Sequence, residues 1–281
     1  MHNPGKKSSL TWLFTGIFCN FASLHQQIPD NMMQAMIFAA GLGTRLKPLT
    51  DTMPKALVRV GDEPLIKRVL LRLADAGAGR IVVNVHHFAS QITQYLAEND
   101  NFGLDIVISD ETSGLLETGG GIKHAASLFA PSSPVLIHNV DILSNVDLRK
   151  FYNLAVRSEA GGNVTDAVLL VSWRKTKRYL LFDDNMRLVG WTNVETGEVK
   201  SPYANLDPGK CLMYAFAGIH VISPRLFPLM DEFPDRFGII DFYLAVCATH
   251  NITGHVKGDL KLMDIGKLDT LAQAESFLSE L

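Results

Sequence analysis

The sequence predicts an α/β protein: a Rossmann-like, doubly wound, mostly parallel sheet with a small lid-like insertion. Three observations carry this expectation. From Gln34 onward, β-branched apolar runs alternate with stretches of helical period. The first apolar run feeds a glycine-rich loop. Between Arg174 and Lys210 the alternation lapses into a mostly polar segment. Strands separated by helical patterns imply parallel βαβ units covered on both faces. Right-handed crossovers then wind the sheet outward in both directions.

The elements follow in order. QAMIFAA (Gln34–Ala40) reads as a short buried strand. PLIKRVLLRLADAG has helical period and stops at Gly77. RIVVNV (Arg80–Val85) is a buried strand, SQITQYLAEN an amphipathic helix and LDIVIS a strand. GIKHAASLF is helical, and PVLIHNVD (Pro134–Asp141) is a strand with a polar end. DLRKFYNLAV is a helix and DAVLLVSW a strand. In the polar segment, Asp183-Asp184-Asn185 and Glu195-Thr196-Gly197 mark turns, which suggests antiparallel hairpins over the sheet's edge. YAFAGIHVIS returns as a strand, IIDFYLAVCATH as a helix, LKLMDIG as a strand end and Lys267–Leu281 as a terminal helix. No internal repeat is present, and no hexapeptide pattern of a left-handed β-helix follows.

Composition narrows the function. The 281 residues carry 26 Lys+Arg against 29 Asp+Glu, a formal charge of −3, and 47% are hydrophobic. That is ordinary globular composition, with enough chain for a sizeable core. A pI near 6.3 disfavours a nucleic-acid binder working through a basic face. Three scattered cysteines (Cys19, Cys211, Cys247) exclude a disulfide scaffold and a Cys-based zinc site, and fit a reducing compartment.

Residues 1–33 read differently from the rest. Lys6 and Lys7 precede an uncharged run, Leu10–Leu24, whose 15 residues are short against the roughly 20 of a membrane span. The basic start resembles a secretory signal, but CNFAS offers a poor cleavage site. The expectation is an upstream start with the protein proper beginning at Met32 or Met33, or else a disordered or loosely helical extension. Residues 34–281 are expected to form one domain.

The loop after the first strand, AAGLGTRLKPLTDTMPKAL, is the most informative segment. Glycines let backbone N–H groups approach phosphate without a β-carbon in the way. Arg45 offers a fork of donors and Lys55 a second positive charge. The Walker spacing is absent, and Leu46 stands where a dinucleotide fingerprint needs its third glycine. The ungapped string from Gly41 to Lys55, G-x-G-T-R-L-x-P-L-T-x-x-x-P-K, resembles the signature of the sugar-phosphate nucleotidyltransferases, which make nucleoside-diphosphate sugars. The resemblance extends over most of Met36–Leu281 and implies a glycosyltransferase-A-like form of the fold.

The resemblance also implies a site. Ala40, Gly41, Gly43, Thr44, Arg45 and Lys55 would contact the nucleotide, with Arg45 and Lys55 also acting in catalysis. Asp141, at the end of LIHNVD, matches the family's strand-end metal ligand and would be catalytic as well. Asp264, in the D-x-G setting of LKLMDIG, matches the second. Two such carboxylates could hold Mg²⁺ against a phosphate. Taken singly, each aspartate could also be a helix or turn cap. The family commonly has glycine before the first aspartate, where this chain has Val140. In LLETGGGI, Glu117 and Gly119 would contact the nucleotide, and Gly120, Gly121 and Asn139 the sugar. The other reading of these glycines is a cap needed for packing.

The form LLETGGGI looks most like the N-acetylmuramate-1-phosphate uridylyltransferases of cell-wall recycling. This implies uridylyl transfer from UTP to N-acetylmuramate 1-phosphate in the cytoplasm, with no membrane or nucleic-acid partner and the oligomeric state open. Within the family, mannose-1-phosphate guanylyltransferase and glucose-1-phosphate nucleotidyltransferase remain alternatives. Outside it, a non-catalytic nucleotide-sugar sensor or regulatory subunit does. His86, His87 and His138 lack metal-ligand spacing and read as satisfied polar groups. Trp173, Tyr179 and Trp191 read as cover for apolar surface.

Overall fold

Each strand at the centre of the molecule is buried on both faces, and the sequence accounts for this. In β1 (Met33–Phe38), Met33, Ala35 and Ile37 point into one apolar cluster and Met36 into another. Alternate residues of a strand face opposite sides, so such a strand needs layers on both. The computed structural model describes residues 32–160 and 165–281. The expected N-terminal extension therefore lies almost wholly outside the described residues.

After β1 come a small ribbon of β2 (Arg59–Val60) and β3 (Glu63–Pro64), then α1 (Leu65–Asp75). Next are β4 (Ala78–Val85), α2 (Ala89–Glu98), β5 (Ile106–Asp110), α3 (Glu117–Ala125) and β6 (Val135–Asn139). They are followed by β7 (Ile142–Ser144), α4 (Leu148–Ala160), β8 (Ala167–Ser172), β9 (Arg178–Phe182), β10 (Leu188–Asn193) and β11 (Glu198–Lys200). The chain closes with β12 (Leu212–Ile222), α5 (Ile239–Val246), β13 (Ile252–Val256), β14 (Leu262–Asp264) and α6 (Leu268–Leu278).

The main sheet runs β11-β10-β9-β12-β6-β1-β4-β5, with β8 on β12 and β13 on β8. The β6-β1-β4-β5 centre is parallel, as is β13 on β8. β12 enters antiparallel and joins three neighbours. Helices α1, α2, α4 and α6 cover one face, and α3 with α5 the other. α1 shows the physics: Leu65, Ile66, Val69, Leu70 and Leu73 fall on one stripe and are buried. Burial of each such side chain contributes about 1.5–3 kcal/mol.

The segment expected as a lid is a continuation of the sheet. β9, β10 and β11 form an antiparallel ribbon that attaches to β12 through Leu212–Tyr214. Strand β13 is an addition to the sequence reading. Its glycine and histidine dilute the β-branched signal.

Candidate active site

The carboxyl ends of β1, β4, β5 and β6 meet at one edge of the sheet. In open α/β sheets, ligands bind at that edge. A cleft of about 360 Å³ opens there, lined in part by Phe38, Ala40, Gly41, Lys55, Asn84 and Glu111. Leu115, Glu117, Thr118, Asn139, Val140 and Asp141 complete it.

Asn84 and Glu111 hold the strand ends together. Asn84, buried at the end of β4, accepts from the N–H groups of Ala39 (2.7 Å) and Ala40 (3.2 Å) through Oδ1. Its Nδ2 donates to Glu111 Oε1 at 2.8 Å. The other Glu111 oxygen accepts from the Leu116 N–H at 3.4 Å. Burial pushes the Glu111 carboxyl up, against the pull of these hydrogen bonds. Sequence reading missed both residues. The available signal was a lone polar residue at the end of a buried strand, and an acid just past the next one.

The glycine-rich loop divides its work. Gly43 has φ +63°, and a β-carbon there would lie 2.8 Å from Thr50 Cγ2 and 3.1 Å from Lys55 Cβ. The Thr50 hydroxyl donates to the Gly43 carbonyl at 2.8 Å. Gly43 thus shapes the turn. Gly41 faces open space in the cleft wall, where a ligand can approach the backbone closely. Thr44 and Arg45 lie in a short 3-10 turn and are exposed.

The two aspartates come together. β14 pairs antiparallel with β7, setting Asp264 opposite Ile142, the residue after Asp141. The Ile265 N–H donates to the Asp141 carbonyl at 2.9 Å. Lys55, which is buried, makes an ion pair with Asp141. The Arg45 guanidinium closes the other side. A β-carbon on Gly266 would sit 2.7 Å from both Arg45 Nη2 and Asp264 Oδ1. Burial pushes the Asp264 carboxyl up and the neighbouring Asp141 adds to this, while Lys55 and Arg45 oppose it.

These residues fit a divalent cation. Asp264 Oδ1 is buried with no hydrogen-bond partner, and two adjacent carboxylates are the donor set a hard cation takes. Among the described residues no group of three or more His, Cys, Asp or Glu side chains could hold a metal ion. The remaining ligands would have to come from substrate oxygens and water, which suits Mg²⁺.

Val140 fills the position of the family's glycine without obstructing the fold. Its side chain packs into the core and its N–H donates to the Phe38 carbonyl at 3.2 Å. Asn139 is half-buried in the cleft wall, beside Gly218 of β12. With φ +74° and only 2.7 Å between a β-carbon and Asn139 Nδ2, that position requires glycine. His138 is fully buried, its Nδ1 2.7 Å from the Asn139 carbonyl oxygen. Burial depresses it to about 4, so it is neutral at pH 7. His86 Nδ1 pairs with the Glu111 carbonyl at 2.7 Å.

The LLETGGGI segment divides: Glu117 lines the cleft, whereas its three glycines, Gly119, Gly120 and Gly121, are buried and do not. The N–H groups of Gly119 and Gly120 donate to the Phe237 carbonyl at 2.9 and 3.2 Å. A β-carbon at Gly119 would meet the Phe237 ring at 2.3 Å, and one at Gly120 the Asp235 carbonyl at 2.0 Å. One at Gly121 would lie 2.8 Å from Glu111 Oε1. Gly119 and Gly120 let α3 dock on the 235–239 segment and Gly121 lets it close on Glu111, so the packing reading describes all three better than ligand contact. Glu117, with φ 63°, reaches the rim and pairs with Arg236 at 2.8 Å.

Fold and cleft together define an α/β protein with a ligand-sized cleft at the carboxyl edge of its sheet. The sequence model of the nucleotidyl transferase family matches residues 34–185, and the chain belongs to that family. It is 33% identical over 255 residues to the N-acetylmuramate alpha-1-phosphate uridylyltransferase of Caulobacter vibrioides, covering 88% of this chain and 97% of the relative. With the enzyme of the same description from Neisseria meningitidis it shares 42% over 123 residues, 44% of this chain and 53% of that one. The mannose-1-phosphate guanyltransferase of Kluyveromyces lactis is 36% identical over 204 residues, 72% of this chain and 53% of the relative.

Among solved structures, a Bacillus anthracis protein described as a glucose-1-phosphate thymidylyltransferase superposes with TM-score 0.71 at 17% identity, covering 89% of this chain and 96% of that one. HddC from Yersinia pseudotuberculosis gives 0.67 at 21% identity, covering 88% and 100%. These two likenesses concern the fold. Among the described residues no helix is long and apolar enough to cross a membrane.

Proposed function

We propose that the protein transfers a uridylyl group from UTP to N-acetylmuramate 1-phosphate, giving the nucleoside-diphosphate sugar and pyrophosphate. The observation that carries the reading is the meeting of Asp141 and Asp264, flanked by Lys55 and Arg45, beside a cleft at the carboxyl edge of the sheet. The choice of sugar and base rests on the LLETGGGI form and on the printed function of the Caulobacter and Neisseria relatives.

In this reading an oxygen of the sugar 1-phosphate bonds to the α-phosphorus as the bond to pyrophosphate breaks. Little covalent work falls to the protein, and positioning with charge stabilisation does most of it. The backbone at Ala40, Gly41 and Gly43, with Thr44, cradles the triphosphate. Arg45 stabilises charge on the leaving pyrophosphate, and Lys55 contacts the phosphate being transferred. Asp141 and Asp264 would hold Mg²⁺, which when bound would supply charge withdrawal at the phosphate being transferred. Glu117 and Asn139 border the nucleoside and the sugar. A UTP donor supports a cytoplasmic setting for the proposed reaction.

The test is pyrophosphate release by purified protein with Mg²⁺, crossing the four nucleoside triphosphates with N-acetylmuramate, N-acetylglucosamine, glucose and mannose 1-phosphates. The expected result is turnover with UTP and N-acetylmuramate 1-phosphate above every other pair. A strong GTP–mannose 1-phosphate signal would move the assignment to the guanylyltransferase branch. Nucleotide binding without pyrophosphate release would favour a sensor.

A further inference from the structure

A second cavity, of about 510 Å³, opens where the β9–β11 ribbon meets α5. Strand register assembles its wall. Trp191 on β10 stands opposite Leu180 on β9 and Lys200 on β11, so the three share one face. Arg178 lies two residues from Leu180 on that same face. Arg174 enters from the preceding loop, its Nη2 donating to the Phe216 carbonyl at 2.8 Å.

The charged lining comprises Arg174, Arg178 and Lys200 with Glu198 and Asp241. Lys200 is held by Asp241 at 3.1 Å and lies 5.4 Å from the centre of the Trp191 ring. Among the described residues, no carboxylate lies within ion-pair distance of Arg174 or Arg178. Three cations against two carboxylates leave one positive charge in excess. That balance suits a monoanion better than a phosphate dianion.

The cavity adjoins the catalytic cleft through two seams. Ile240 lines it, and the N–H of the preceding Ile239 donates to the Oγ1 of Thr118 in the cleft at 3.0 Å. Phe216 lines it too, and two residues further along β12 Gly218 rests against Asn139 of the cleft.

We propose that this cavity receives a carboxylate-bearing substituent of the sugar 1-phosphate. Arg174 and Arg178 bind the carboxylate, and Trp191 covers the apolar side of the substituent. The inference rests on the sugar-phosphate reading above and adds the feature of the acceptor that the protein selects. A planar guanidinium matches a carboxylate in two-point contact, and partial enclosure strengthens the pair over its value in water.

The experiment compares N-acetylmuramate 1-phosphate with N-acetylglucosamine 1-phosphate, which lacks the lactyl carboxylate. The ratio of their kcat/KM values is measured for wild type, Arg174→Gln, Arg178→Gln and Arg178→Lys. The ratio should fall about 10- to 100-fold in either Gln variant, as expected for a lost hydrogen bond to a charged group. Arg178→Lys should recover part of it. A ratio unchanged in both Gln variants, or a wild type that does not discriminate, would overturn the inference while leaving nucleotidyl transfer standing. Silence of the wild type on every sugar would instead overturn the transfer reading. Calorimetric titration with the same two sugar phosphates then decides the cavity. Preference for the carboxylate sugar, lost in Arg178→Gln, supports it, and equal binding rejects it.

Discussion

Asn84 is the side chain on which the geometry of the cleft most depends. Its single carbonyl oxygen receives the amides of Ala39 and Ala40, which fixes the departure of the glycine-rich loop from β1. Its amide nitrogen restrains the Glu111 carboxylate. The side chain is buried, so water does not replace it freely. In Asn84→Ala two backbone donors and one carboxylate oxygen lose their partner at once. Leaving buried polar groups unpaired costs about 1–3 kcal/mol each, so with three such groups a total loss of about 3 kcal/mol or more is expected. Urea unfolding would measure it, and a loss under about 1 kcal/mol would show that water or a neighbour takes over. The same scale explains what sequence reading found and missed. Arg45 and Lys55 stand in a string that resembles a nucleotidyltransferase signature, and Asp141 matches that family's strand-end acid. Asn84 and Glu111 resemble an ordinary strand end and an ordinary turn acid, and only three-dimensional pairing reveals their work.

Elements differ in how openly they declare themselves. The β1, β4, β6 and β8 runs were legible because their residues are apolar in unbroken succession, as burial on both faces demands. β13 was not, since Gly254 and His255 interrupt it. That glycine is needed, because a β-carbon would lie 2.8 Å from Phe182 and from Met186. The β7–β14 pairing was also hidden. Each strand has three residues, and nothing local says that two such fragments will meet. Asp264 could be singled out only through its D-x-G setting, and its place beside Asp141 is a product of topology. At α3 the glycines were legible as a motif but not in their role. The missing β-carbons of Gly119 and Gly120 leave the clearance from Phe237 and Asp235 that lets the helix dock. Gly120→Ala would improve helix propensity by about 1 kcal/mol but force a β-carbon onto the Asp235 carbonyl. Overpacking of that kind costs about 1–3 kcal/mol or more. Net destabilisation is therefore expected, measured as a lower thermal midpoint. A midpoint at or above wild type would show that the 235–239 segment yields freely.

For the molecule as a whole, the sheet has two regions that share a boundary. The parallel centre carries the loop, Asp141 and the cleft, and the separate β7–β14 pair brings Asp264 to them. The antiparallel extension through β12 to β11 carries the cationic cavity. β12 belongs to both, pairing with β6 through Ile219–Ile222 and with β9 through Leu212–Tyr214. In the proposed reaction the first region performs the transfer and the second chooses what receives it.

In the proposed reaction the Asp141–Asp264 pair drives nucleotidyl transfer. The most direct test of this claim is the rate of pyrophosphate release from UTP and N-acetylmuramate 1-phosphate at saturating Mg²⁺. Wild type is compared with Asp141→Asn and Asp264→Asn, each shown to be folded by circular dichroism. Each variant should lose about 10²–10³ of kcat, the scale seen when a preorganised electrostatic contact to the transition state is removed. Folded variants that keep kcat within about twofold of wild type would contradict the claim, because the pair would then contribute almost nothing to the transition state.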